Sequence, residues 1–121
     1  MTVLWRHLML AGAASVLVAG QALAHAVIRQ SVPAQGAVVT APPKEVTITF
    51  NEKVEAMFTT ATLKNAAGAT VSREKARLDA RDATMLRLPL PQLPAGSYTV
   101  KWNAVGSDGH RRTGDIHFSV K

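Results

Sequence analysis

Leu93-Pro94-Ala95-Gly96-Ser97-Tyr98-Thr99-Val100-Lys101-Trp102 opens with turn chemistry and continues in strict alternation. Pro94 and Gly96 halt whatever precedes them, and from Tyr98 onward successive side chains of an extended segment point to opposite faces. Tyr98, Val100 and Trp102 therefore share one face and Thr99 and Lys101 the other, the pattern of a half-buried strand. A tyrosine at the head of such a strand resembles a tyrosine corner, a device of β-sandwiches.

Working outward, Ile116-His117-Phe118-Ser119-Val120 alternates in the same way, with Ile116, Phe118 and Val120 inward and His117 outward without a partner in view. Between the two strands, residues 105–114 carry three glycines and an Asp-Gly pair, and read as a glycine-punctuated connection. Upstream, Thr84 to Leu88 and Val46-Thr47-Ile48-Thr49-Phe50 alternate too, while Pro89, Pro91 and Pro94 forbid a longer run. Residues 26–31 read as a short strand, closed by a turn at 32–36. Thr59 to Leu63 with Val71 suggests a hairpin around Asn65-Ala66-Ala67-Gly68. Residues 72–82 have helix formers but no apolar stripe to bury, so an exposed loop or ragged edge strand is expected there. The sum is an all-β domain: an Ig-like antiparallel Greek-key β-sandwich of about seven strands.

The amino-terminal segment is different. Arg6, an apolar run from Leu8 to Ala19 and small residues at Ala22 and Ala24 have the layout of a signal peptide, which divides the chain into a leader, 1–24, and one domain, 25–121. The apolar run stops short of the roughly 20 residues that a membrane helix needs. Export to an oxidising compartment follows from this layout. With no cysteine, neither a disulfide framework nor a thiolate metal site is available, so any metal must be held by His, carboxylate, Met or a terminal amine. Lys and Arg total 14 against 8 Asp and Glu, but the cations are scattered, which suits solubility and not nucleic-acid binding.

Cleavage after Ala24 makes His25 the first residue, and a terminal histidine offers its amine and ring Nδ1 to one metal ion as a chelate. Asp108-Gly109-His110 adds an imidazole and a carboxylate two residues apart, able to project to one side of an extended segment. Three nitrogens and one oxygen suit a tetragonal copper(II) centre. The residues by themselves leave a plainer alternative open: His25 as an incidental first residue, Asp108-Gly109 as a turn signal and His110 as a solvated loop side chain.

Taken in order, His25 behind the cleavage site, Ser31-Val32-Pro33-Ala34, Phe50-Asn51-Glu52, Leu93 to Tyr98, Trp102 and Ser107-Asp108-Gly109-His110 resemble the CopC family of periplasmic copper-resistance proteins. The resemblance covers essentially all of residues 25–121. It implies an Ig-like sandwich holding one copper(II) ion in an amino-terminal histidine brace, with His25, Asp108 and His110 as ligands. Glu52 stands where the family has an acidic residue near the metal, which implies a role around the site, such as holding the terminal amine, against the plainer reading of a solvated strand-end carboxylate. The resemblance further implies a periplasmic protein that sequesters or carries copper, linked to a CopD-type inner-membrane protein. The chain is expected to be a monomer with no nucleic-acid partner. Beyond the leader only Met57 and Met85 remain, far apart, so a thioether copper(I) site is not expected; Met57 reads as core or loop packing and Met85 as a strand residue.

Two rival functions are open to the same residues. A histidine-brace copper monooxygenase would need a surface for a polysaccharide, yet Phe50, Tyr98, Trp102 and Phe118 are assigned to the core, leaving Phe58 alone. An Ig-like interaction module without metal would use the basic surface and leave the histidines incidental. The expectation is a binding protein and not an enzyme.

Overall fold

The computed structural model of the chain describes residues 26–121; the expected leader and His25 lie outside them. Eight strands follow one another: β1 (Ile28–Val32), β2 (Ala37–Val39), β3 (Glu45–Phe50), β4 (Thr60–Asn65), β5 (Arg77–Leu78), β6 (Met85–Pro89), β7 (Gly96–Val105) and β8 (Arg111–Val120). A single 3-10 turn, Ala56–Phe58, precedes β4. The strands form two sheets, ordered β1-β3-β6-β5 and β2-β8-β7-β4.

Alternation builds the core. Val46, Ile48 and Phe50 of β3 and Leu86 and Leu88 of β6 are buried from the first sheet; Leu63, Val100, Ile116, Phe118 and Val120 meet them from the second. Burying side chains of this size stabilises by about 1.5–3 kcal/mol each, which offsets the ordering of the strands that carry them. Phe50 and Trp102 join the sheets edge to face, with ring centroids 5.6 Å apart. Tyr98 stacks on its cross-strand partner Phe118 and donates its hydroxyl to the carbonyl of Pro94 at 2.6 Å, so the tyrosine corner is present.

The strands differ from expectation in three places. β7 and β8 are ten residues each and leave only 106–110 as their connection, because Gly114 is a strand residue opposite Trp102 and not a loop glycine. A Cβ at Gly114 would come within 2.7 Å of the indole, so the missing side chain makes room for the ring. The chain also has an extra strand, β2, which lies parallel to β8 in an otherwise antiparallel sandwich. The hairpin after β4 narrows to one bridge, Lys64 with Thr70, beyond which the Ser72 hydroxyl accepts the Leu63 amide. The 72–82 segment contributes only the two-residue edge strand β5.

Two side-chain expectations also change. Met57 is 84% exposed on the 3-10 turn and packs in no core, since the turn lies outside both sheets. His117 does face outward, but it has a partner: its Nδ1 lies 2.9 Å from the Thr99 hydroxyl across the β7–β8 pair.

Candidate metal centre

Three segments meet at one end of the sandwich. The first is the start of the described chain: Ala26 is only 1% exposed, and the backbone of Val27 is held from both sides by Asn51. Asn51 Oδ1 accepts the Val27 amide and the Asn51 amide donates to the Val27 carbonyl, each at 2.8 Å. The second is the exit from β3. Val54 bridges to Gly106, and the Glu55 amide donates to the Val105 carbonyl at 2.8 Å, so residues 51–55 are fastened to the end of β7. The third is the β7–β8 hairpin, whose tight turn is closed by the Gly109 amide on the Gly106 carbonyl at 3.0 Å. Gly109 has φ +81°, a left-handed conformation that glycine adopts without steric cost.

This hairpin joins Asp108 and His110 closely. Asp108 Oδ1 accepts the His110 amide at 3.0 Å and its Oδ2 lies 2.8 Å from His110 Nδ1. With the carboxylate ionised, that short contact fits Nδ1 as the donor, the tautomer in which Nε2 carries the lone pair. The imidazole is 61% exposed and the Asp108 side chain 30%, so the pair stands open at the surface. Asp108 thus orients the imidazole whatever else its oxygens reach.

Glu52 joins them through Gly106. The Glu52 carboxylate lies against the Gly106 backbone where a Cβ would stand, and Asp108 Oδ1 is 3.3 Å from that same position. Glu52 Oε1 is buried and has no hydrogen-bond partner among the described residues. A buried carboxylate oxygen without a donor is costly, and a second carboxylate nearby raises the cost. Among the described residues no three His, Asp or Glu side chains are grouped closely enough to hold a metal by themselves.

Asp108 and His110 are therefore together, and Glu52 stands beside them. The fourth residue of the expected set, His25, falls outside the described residues, one position before buried Ala26. His117 lies seven residues further along β8 on the outer face and takes no part. Sequence reasoning missed Asn51 and Gly106. Asn51 stands inside the quoted Phe50-Asn51-Glu52 motif, a signal that was available; Gly106 matters only through a contact with a residue 54 positions earlier, which leaves no local trace.

A model of the CopC domain matches residues 28–121. Protein YobA of Escherichia coli K12 is 37% identical over 106 residues, spanning 87% of this chain and 86% of that protein. Copper resistance protein C of Pseudomonas syringae pv. tomato is 35% identical over 115 residues, 90% of each chain. The crystal structure of CopC from Methylosinus trichosporium OB3b superposes with a TM-score of 0.75 at 32% identity, covering 80% of this chain and 94% of that one. The two-sheet sandwich, its tyrosine corner and a match running through every strand lead to one assignment: this chain belongs to the CopC family.

Proposed function

We propose that this protein is exported to the periplasm, loses residues 1–24, and there sequesters or carries one copper(II) ion without catalysing a reaction. The ion is held by the His25 amine and imidazole, by His110 Nε2 and by Asp108, with Glu52 beside the terminal amine. The observation that carries this reading is the unsatisfied Glu52 oxygen next to the Asp108–His110 pair, at the end of the sandwich where the buried Ala26 anchors the start of the domain. A protonated terminal amine, or a metal drawing charge from one, supplies what that oxygen lacks. Relatives named for copper resistance support copper over other cations, and nitrogen-rich donor sets favour copper(II) by the Irving-Williams order. A CopD-type membrane protein remains the partner implied by family resemblance. The aromatic residues support binding over oxidation of a polysaccharide: Phe50, Tyr98 and Phe118 are buried and Trp102 packs on Phe50, which leaves Phe58, 51% exposed, as a lone exposed ring among the described residues and not a platform of several.

The test is a copper(II) titration of protein that begins at His25, set beside a form with one extra residue before it. The native terminus should show one tight site and nitrogen hyperfine structure in electron paramagnetic resonance. The extended form keeps both imidazoles but loses the chelate, so its affinity should fall by orders of magnitude, as should that of His110→Ala. Asp108→Asn should cost less and His117→Ala nothing measurable. Equal affinity for both termini would sink the brace, and absence of any site would sink copper binding altogether.

A further inference from the structure

We propose that Asn51 positions the amino-terminal ligand of the metal centre, by gripping the first described residues in a register that the β1–β3 ladder alone would not set. The inference deepens the copper reading above and rests on it. β1 enters that ladder irregularly. Ile28 pairs with Phe50 and Gln30 with Thr49, so β1 takes two steps where β3 takes one, and Arg29 is an extra residue in a bulge. Arg29 and Gln30 are accordingly exposed in succession. In an unbroken ladder Arg29 would stand opposite buried Phe50 and share its inward face. The bulge gives that place to Ile28 and, two residues earlier, turns Ala26 into the core. A slip of one residue here would put an apolar side chain out and a charged one in, and would move the chain start by about 3.3 Å.

Past Ile28 the ladder has no regular partner to offer. β3 ends at Phe50, and residues 51 and 52 form a bend that carries Glu52 against Gly106 and Val54 onto its bridge with the same glycine. A regular antiparallel pair would exchange two backbone bonds between Val27 and Asn51. Only one is made, from the Asn51 amide to the Val27 carbonyl; the Val27 amide donates to the side-chain Oδ1 of Asn51 instead, each bond being 2.8 Å. Asparagine suits this substitution because its short side chain carries a peptide-like carbonyl. One residue thus ties down the chain start and lets the exit of β3 turn away toward the hairpin. With Val27 held from both sides and Ala26 buried, residue 25 begins one peptide, about 3.8 Å between Cα atoms, from a fixed point. Without the grip the start frays, and only the fraction of chains in register can close the site.

The test is a double-mutant cycle on protein beginning at His25, read by copper(II) competition against a calibrated chelator. Asn51→Ala keeps the backbone bond but loses the side-chain acceptor. It should weaken copper(II) binding about three- to tenfold, the factor by which opening one hydrogen bond of ordinary strength shrinks the competent fraction. Asn51→Asp keeps an acceptor in that place and should bind at least as tightly as wild type. In a protein lacking both hairpin donors, with Asp108→Ala and His110→Ala together, the His25 chelate needs no alignment with a second segment, so Asn51→Ala should cost nothing further. Hydrogen exchange followed by NMR in the metal-free protein gives a second readout. The Val27 amide should exchange about tenfold faster in Asn51→Ala, whereas the Phe50 amide, which donates to the Thr84 carbonyl at 2.8 Å, should not change. Unchanged copper affinity in Asn51→Ala, an equal loss where the hairpin donors are missing, an Asn51→Asp protein as weak as Asn51→Ala, or a Val27 amide indifferent to the substitution would overturn the proposal. Wild type with no copper(II) site would overturn the copper reading and the positioning role together; a tight wild-type site indifferent to Asn51 would overturn the positioning alone.

Discussion

Two glycines, Gly106 just past β7 and Gly114 within β8, do opposite work, and their alanine variants should separate site from scaffold. At Gly106 the backbone is ordinary, and the obstacle to a Cβ is the Glu52 carboxylate, the far end of a flexible side chain. Gly106→Ala should therefore change unfolding free energy by less than about 1 kcal/mol while lowering copper(II) affinity, as Glu52→Gln should. At Gly114 the obstacle is the Trp102 ring, pinned between β8 and Phe50, and overpacking of this kind costs about 1–3 kcal/mol. Gly114→Ala should lose that stability and keep its copper affinity. Urea unfolding and chelator competition on both variants check the contrast; if Gly106→Ala binds copper like wild type, Glu52 is no part of the site. At this scale the pairing of Asp108 with His110 was legible because the turn and both side chains share one tripeptide. The burial of Glu52 was not, since among Asn51, Lys53 and Glu55 it reads as one more solvated polar residue and only a long-range contact says otherwise.

Elements were legible where side chains alternate and illegible where pairing is decided at a distance. The β3, β6 and β7 cores follow from period two, and the tyrosine corner from Leu93 to Tyr98. β2 was missed because three residues carry no period, and its place is set by parallel pairing with β8. Removing the Tyr98 hydroxyl tests the corner: Tyr98→Phe keeps the ring stacked on Phe118 but leaves the Pro94 carbonyl without this donor, and should cost about 0.5–1.5 kcal/mol in urea unfolding. The turn before β6 gives a pH signature. The Thr84 hydroxyl and then its amide hold the Asp82 carboxyl below its ordinary value, and the Arg81 amide and then the Arg87 guanidinium do the same for Asp79. Because these folded-state values lie below the unfolded ones, their stabilisation is present above the ordinary value of 3.8 and is lost as pH falls through the lowered values. Wild type should thus exceed Asp82→Asn in stability at about pH 6, and the gap should close in acid below 3.8; a gap that widened in acid would contradict the turn geometry.

At the scale of the whole molecule, the metal centre joins parts that the fold keeps separate. Asn51 and Glu52 leave the first sheet, Gly106 to His110 connect two strands of the second, and the described residues begin at buried Ala26, beside Val27, which Asn51 holds. The unfolded chain keeps a terminal histidine but cannot bring the hairpin to it, so an ion held by the whole ligand set binds the folded state more tightly than the unfolded one and stabilises it by mass action. At a free concentration about one hundred times the dissociation constant the gain is about 2.7 kcal/mol. For a domain of this size each kcal/mol moves the melting temperature by about 4–8 °C, so copper(II) should raise it by roughly 10–20 °C. The rise should fade in acid, because nitrogen donors must be deprotonated to bind metal. It should also depend on the first residue. Protein beginning at His25 and protein carrying one extra residue have the same sandwich core and should melt together without metal, but only the native terminus can tie the start of the chain to the hairpin. Thermal unfolding followed by circular dichroism, with and without copper(II), measures both effects in one experiment. An equal rise in the two forms would mean that the ion binds without the terminal amine, at the hairpin alone; a rise confined to the native form would mean that removal of the leader completes both the ligand set and the brace between the two sheets.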